Sequence, residues 1–188
     1  MAWNLPNTIT VLRIATIPLL LFVLLSGAIP GGEVVALVIF ALASLSDAVD
    51  GWLARNRSQE TVFGKLADPI ADKLLIMAAL AVFVGRSDFW NELLIVSFVI
   101  ILAREFLVMG LRMLAIDKNI VISASWSGKL KTLSHIGLVL VLLIDSLGGW
   151  GAISGMIVPG AIYLAVTMAL ISGVEYFFKS RELFRTAA

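Results

Sequence analysis

Apolar runs of about membrane-crossing length alternate with short polar breaks along almost the whole chain. A helical span needs about 20 apolar residues, and six stretches qualify: 8–28, 34–54, 63–84, 92–116, 129–147 and 153–178. Every connection between them is short, no internal repeat is visible, and no stretch is polar enough to form a separate soluble domain. The pattern predicts an all-α integral membrane protein with six transmembrane helices and a single domain over residues 1–188. The opening "MAWNLPN", with Trp3 and Pro6, suits an interfacial segment that leads into the first span.

Composition sharpens this picture. Hydrophobic residues make up 60% of the 188-residue chain and charged residues only 14%, against roughly 25% charged residues in soluble domains. Mean hydropathy is +1.02. The chain has no cysteine, which excludes disulfides and thiolate metal sites. The apolar run after Arg13 is too long for a cleavable signal, and no small-residue cleavage site follows it. The formal net charge of +1 is no indication of nucleic-acid binding, because the charges are sorted by membrane side. The breaks "GAIPGGE" and "DSLGGWGA" carry no basic residue, and "GRSDFWNE" sets Arg86 against Asp88 and Glu92. Arg55, Arg57 and Lys65 flank the second break, Lys118, Lys129 and Lys131 the fourth, and Lys179, Arg181 and Arg185 lie in the tail. The positive-inside rule therefore puts both termini, and the second and fourth breaks, in the cytoplasm.

Against this apolar background, "SDAVDGWLARNRSQETVFGKLADPIADK" (46–73) holds four aspartates, Asp47, Asp50, Asp68 and Asp72. With about 100° per helical residue, Asp50 lies about 60° to one side of Asp47 and Gly51 about 40° to the other, with Ala54 between them. Gly64, Asp68 and Asp72 form a second stripe at i, i+4 and i+8, with Ala71 beside it. If the two helices face each other, four carboxylates converge across a gap kept open by glycine and alanine. Insertion scales put the cost of one mid-membrane aspartate at about 2.5–3.5 kcal/mol, so something must offset it. Pairing with Arg55, Lys65 and Lys73, or capping, explains neither the spacing nor the small residues. Carboxylate oxygens suit hard divalent cations, Mg²⁺ or Mn²⁺. Four of them can bridge two ions about 3.5–4 Å apart, an arrangement used in phosphoryl transfer.

The stretch reads D-x2-D-G-x2-A-R-x8-G-x3-D-x3-D from Asp47 to Asp72 without a departure, and it resembles the signature of the CDP-alcohol phosphotransferase family. The resemblance implies six transmembrane helices, a homodimer and a cytoplasm-facing site where an acceptor alcohol displaces CMP from a CDP-linked donor. By position it implies that Asp47, Asp50, Asp68 and Asp72 bind two divalent ions, Mg²⁺ or Mn²⁺. It further implies that Asp72 is the general base and that Asp47, Gly51, Ala54, Arg55 and Gly64 line the CDP site. "NLPNTITVLR" (4–13), "AREFLVMGLR" (103–112) and "SGKLKT" (127–132) resemble bacterial members that take sn-glycerol 3-phosphate as acceptor and CDP-diacylglycerol as donor. Their products are phosphatidylglycerophosphate and CMP, made in the bacterial inner (cytoplasmic) membrane among membrane lipids.

The basic residues carry a separate argument. Arg104 falls near the middle of the fourth span, where a charge needs a cavity or a partner. Arg112 is eight residues on, about 80° around and about 12 Å along the helix, and Lys129 begins the fifth span. Together Arg104, Arg112 and Lys129 could hold a phosphate dianion. The structural alternative pairs Arg104 with an aspartate and leaves Arg112 and Lys129 at the headgroup boundary. Lys131 and Arg181 are expected to be simple inside-facing charges, and Glu105 has no assigned role. His135 is expected to be an interhelical hydrogen-bond partner rather than a metal ligand, Asp145 to mark an outer helix end, and Glu175 to pair with Lys179. Other acceptors, among them phosphatidylglycerol, inositol phosphate and serine, keep the same reaction. A divalent-cation transporter is the reading of a different class, and it requires acids lining both halves of a pathway.

Overall fold

A computed structural model describes residues 5–57, 62–86, 90–117 and 126–181, with side chains described for 11–46, 70–71, 73–86, 90–115 and 126–181. Six long helices occupy the predicted stretches: α1 (Leu5–Ser26), α2 (Gly32–Arg57), α3 (Val62–Arg86), α4 (Asn91–Asp117), α5 (Trp126–Ser146) and α6 (Ser154–Lys179). A single 3₁₀ turn, Gly151–Ile153, precedes α6. Among the described residues no strand occurs. The chain runs on as helix where the sequence is apolar and stops where glycine permits a left-handed backbone. Gly27 (φ 60°) follows the last residue of α1, and Gly148 (φ 71°) turns the chain after α5, the usual place for glycine at a helix C-terminus.

Short connections make successive helices antiparallel. The helices close a ring in the order α1, α3, α4, α6, α5, α2, each packed on the next, while α3 also reaches α5 across the interior. Each helix gives large side chains to one core, among them Leu20, Phe40, Leu80, Ile101, Leu143 and Ile162. Apolar side chains such as Phe22, Leu42, Leu107 and Leu170 face outward. In a bilayer, outward apolar side chains meet lipid, so close packing and polar contacts between helices hold the bundle together. Small residues allow that approach: Ala36, Ala71, Ala79, Ala165 and Ala169 are fully buried.

The α5–α6 contact shows the underlying pattern. The buried residues of α6 are Val158, Ile162, Ala165, Ala169, Ser172 and Tyr176, spaced alternately four and three apart as in a coiled-coil seam. On α5 the same spacing runs through Lys131, His135, Leu138 and Leu142. The two seams are apolar at one end and polar at the other, and the polar end is where the chain gathers its buried charges.

Three helical stretches, Asn91–Ala115, Trp126–Ser146 and Gly151–Lys179, are long and apolar enough to cross a membrane, and Val11–Ser26 and Gly32–Ser46 are shorter apolar segments. Residues 1–4, including Trp3 of the expected interfacial segment, lie outside the described residues, and Pro6 falls within α1. The end of the bundle away from the buried charges is closed by Arg86. Its Nη1 donates to the Leu24 carbonyl at 3.2 Å and its Nη2 to Glu33 Oε1 at 3.2 Å. Asp145 sits in the last turn of α5 as expected, where Oδ1 accepts from Ser154 Oγ at 2.5 Å.

Candidate active site

The four aspartates fall on the two helix ends that the short 58–61 connection joins. Asp47 and Asp50 lie in the second half of α2, and Asp68 and Asp72 in the first half of α3. Helix α1 packs on both. The side chains of Asp47, Asp50, Gly51, Ala54, Arg55, Gly64, Asp68 and Asp72 lie outside the described residues. Their helical backbone gives each pair the i, i+3 or i, i+4 spacing that the sequence predicts. Ala71, fully buried, and Lys73 flank Asp72. Among the described residues no three His, Asp or Glu side chains gather as a metal site.

Beside Asp72 the structure describes a buried charge cluster that joins four helices. Glu105 on α4, 4% exposed, is its centre. Its Oε1 accepts from Arg104 Nη1 at 2.9 Å and from Lys131 Nζ on α5. Its Oε2 makes no hydrogen bond but lies 3.6 Å from Lys73 Nζ on α3. The other arm of Arg104, Nη2, donates to Ser172 Oγ on α6 at 2.5 Å. Gly173 leaves room for this side chain, because a Cβ there would come within 3.3 Å of Arg104 Cγ. Three cations surround one acid, and among the described residues no second acid joins them.

Tyr176 extends the cluster along α6. Its buried ring has the guanidinium carbons of Arg104 and Arg112 at 5.7 and 5.0 Å from its centroid, within cation–π range. Its hydroxyl accepts a hydrogen bond from Arg112 Nη2. Two arginines eight residues apart on α4 thus meet at one tyrosine, which turns an offset along the helix into a shared site. Lys129 stands exposed in the first turn of α5, its ammonium 5.5 Å from the Trp126 ring centroid. Of the three residues expected to hold a phosphate, the structure therefore joins Arg104 to Arg112 through Tyr176, and places Lys129 on Trp126 of its own helix.

Several expectations change here. Lys131 is not a simple inside-facing charge: it is 9% exposed and bound to Glu105. The reason is its register, since counting back from Leu142 and Leu138 at the seam spacing reaches His135 and then Lys131. Glu105, without a role by sequence, is the hub. Its helix position points about 100° from that of Arg104, but the long arginine side chain spans the difference. Ser172 and Tyr176 were not singled out by motif, although the seam through Ile162, Ala165 and Ala169 leads directly to both. His135, 1% exposed, is buried in the α5 seam, but its Nε2 has no hydrogen-bond partner among the described residues, so the interhelical hydrogen bond expected of it is not made through that atom. Glu175 pairs with Lys179 at 2.7 Å, also as expected, and accepts a hydrogen bond from Ser127. Arg13 on α1 is 4% exposed, the one charge of "NLPNTITVLR".

The fold and these residues define an all-helical membrane protein with a buried polar site, net-positive among the described residues, at one end of the bundle. The family model for CDP-alcohol phosphatidyltransferases matches residues 3–172, and the chain belongs to that family. It is 36% identical to the CDP-diacylglycerol–glycerol-3-phosphate 3-phosphatidyltransferase of Bacillus subtilis (strain 168), over 98% of this chain and 99% of that one. It is 33% identical to the enzyme of the same name from Rickettsia bellii, over 96% of this chain and 97% of that one. To the probable phosphatidylglycerophosphate synthase of Mycobacterium tuberculosis (strain CDC 1551 / Oshkosh) it is 39% identical, over 92% of this chain and 79% of that one.

Proposed function

We propose that the protein transfers the phosphatidyl group of CDP-diacylglycerol to sn-glycerol 3-phosphate, giving phosphatidylglycerophosphate and CMP. The observation that carries the choice of acceptor is the surplus of positive charge, among the described residues, at buried Arg104 and Lys131 and partly buried Lys73 around Glu105. Buried charges are retained in a membrane protein where they serve a pathway or a ligand, and a surplus of cations calls for an anion. A phosphorylated acceptor supplies one; serine does not. The relatives named for this reaction support the same reading.

In this reading the acceptor phosphate is held by Arg104, Arg112 and Lys129, with Tyr176 keeping the two guanidinium groups together. Arginine can grip two phosphate oxygens at once, whereas lysine acts as a point charge. Asp47, Asp50, Asp68 and Asp72 are hard oxygen donors on two adjoining helix ends, a donor set that fits two divalent cations, Mg²⁺ or Mn²⁺. When bound there, such ions would supply positive charge against the diphosphate and the departing CMP. Gly51, Ala54, Arg55 and Gly64, with Asp47, line the CDP site. Asp72 takes the proton from the acceptor hydroxyl. The hydroxyl oxygen bonds to the lipid-side phosphorus, and the bond from that phosphorus to the bridging oxygen breaks, so that CMP leaves with the electron pair. General-base help of this kind contributes roughly 10²–10⁴-fold.

The reading includes six membrane spans, cytoplasmic termini and site, and a homodimer in the bacterial cytoplasmic membrane. A divalent-cation transporter is less well supported, because at the opposite end Glu33 is committed to Arg86 and Asp145 to Ser154. The experiment is turnover of purified protein with CDP-diacylglycerol, Mg²⁺ and each acceptor in turn, scored by CMP release. Glycerol 3-phosphate is expected to support release, and Asp68→Asn or chelation to abolish it, with Mg²⁺ or Mn²⁺ reversing the chelation. Release with phosphatidylglycerol or serine in its place overturns the acceptor. Full activity after rigorous metal removal overturns the role of the aspartates.

A further inference from the structure

We infer that Glu105 is a positioning residue that holds Arg104, Lys131 and Lys73 in place, so that Lys131 and Lys73 form the inner side of the acceptor-phosphate site whose other cations are Arg104, Arg112 and Lys129. The inference deepens the reading of glycerol 3-phosphate as acceptor and rests on it for the identity of the ligand.

Three observations point the same way. The carboxylate touches cations from three helices, with Arg104 Nη1 and Lys131 Nζ on Oε1 and Lys73 Nζ 3.6 Å from Oε2. Among the described residues the cluster is not neutral: three cations against one acid leave two positive charges, the complement of a dianion. A purely structural ion pair is better replaced by apolar packing than kept, and a structural pair would not leave charge over. The cluster also keeps donor capacity in hand. Arg104 Nε is buried with no hydrogen-bond partner among the described residues, and the Lys73 side chain, 22% exposed, opens the cluster on the α3 side beside Asp72. Without the carboxylate, three cations would repel one another in a medium of low dielectric. Glu105 thus acts on the acceptor through the residues it holds. It supplies the order that binding would otherwise have to impose, which is the benefit of preorganisation.

The test compares wild type, Glu105→Gln and Glu105→Asp in lipid nanodiscs. It measures KM for glycerol 3-phosphate and for CDP-diacylglycerol, and separately the Kd of inorganic phosphate from its effect on thermal unfolding. Glu105→Gln is expected to raise the acceptor KM and the phosphate Kd together by roughly tenfold or more, with the donor KM within about twofold and kcat reduced less than the acceptor KM rises. Glu105→Asp keeps the charge but shortens the reach, and is expected to raise both by roughly threefold. It keeps the proposal testable if the Gln variant fails to accumulate. A donor KM that rises as much as the acceptor KM marks a merely structural role and overturns the inference. So does an unchanged phosphate Kd in either folded variant. The phosphate measurement needs no turnover: if wild type uses another acceptor while Glu105→Gln still loses phosphate, the acceptor reading fails and the phosphate site stands.

Discussion

At the scale of single residues, Arg112 is the sharpest probe of the acceptor reading. It is exposed at the edge of the cluster and tied to the site through Tyr176. A charge-assisted hydrogen bond is worth about 1.5–3 kcal/mol, and about 1.4 kcal/mol is tenfold in affinity. Arg112→Ala is therefore expected to raise the acceptor KM roughly ten- to a hundredfold, with the donor KM moving much less. Arg112→Lys should recover only part, because it restores the charge without the planar fork. A loss confined to the donor would move these residues to the CDP-lipid site. Tyr176→Phe separates the two things the tyrosine does: it keeps the ring beside both guanidinium groups and removes the acceptor for Arg112 Nη2. It is expected to raise the acceptor KM by roughly two- to tenfold, in line with one lost hydrogen bond. A variant indistinguishable from wild type would leave the ring alone responsible.

At the scale of elements, the two ends of the bundle hold it together by different means. At the site end, α3, α4, α5 and α6 are joined by one charge cluster; at the other end, α1, α2 and α3 meet at the two bonds of Arg86. Arg86 and Glu33 are both about a third or more exposed, with side-chain exposures of 40% and 32%, so screening limits the pair to about 1 kcal/mol or less. Arg86→Ala should lower Tm by no more than roughly 2–4 °C and leave both KM values unchanged, as thermal unfolding and CMP-release kinetics would show. A change in acceptor KM would mean that the far end of α3 is coupled to the site. Glycine matters structurally in the α5–α6 turn: a Cβ at Gly149 would stand 2.6 Å from Ile144 Cγ2.

For the whole molecule, the alternation of helix direction brings the N-terminus of α1, the aspartate stretches, the charge cluster and the C-terminus of α6 to one face. In the proposed reading, charge sorting places that face in the cytoplasm. The chain has no cysteine, so single-cysteine variants report topology without background. Ala152→Cys, in the exposed 3₁₀ turn, is expected to react with an impermeant thiol reagent from outside intact cells. Arg181→Cys should react only after permeabilisation. The reverse pattern would put the aspartates on the outer face, away from a cytoplasmic supply of CDP-lipid and phosphorylated acceptor.

The amino-acid sequence by itself determined the six helices, with ends within about three residues, because an apolar run of bilayer length in this composition has no other stable form, and glycine marks where α1 and α5 stop. It also determined the spacing of the four aspartates, since i, i+3 and i, i+4 on a helix are fixed by helical geometry alone, and it determined the local Glu175–Lys179 pair for the same reason. The tertiary structure decided the rest. Which cations are buried together depends on how α3, α4, α5 and α6 pack, and no one-helix pattern holds that information. Lys131 reads as a boundary charge until its seam with α6 is known, and Glu105 reads as a stray acid beside Arg104 until Lys73 and Lys131 arrive from two other helices. The meeting of Arg104 and Arg112 at Tyr176 was beyond sequence reasoning for the same cause: side chains about 12 Å apart along one helix are brought together only by the face of another.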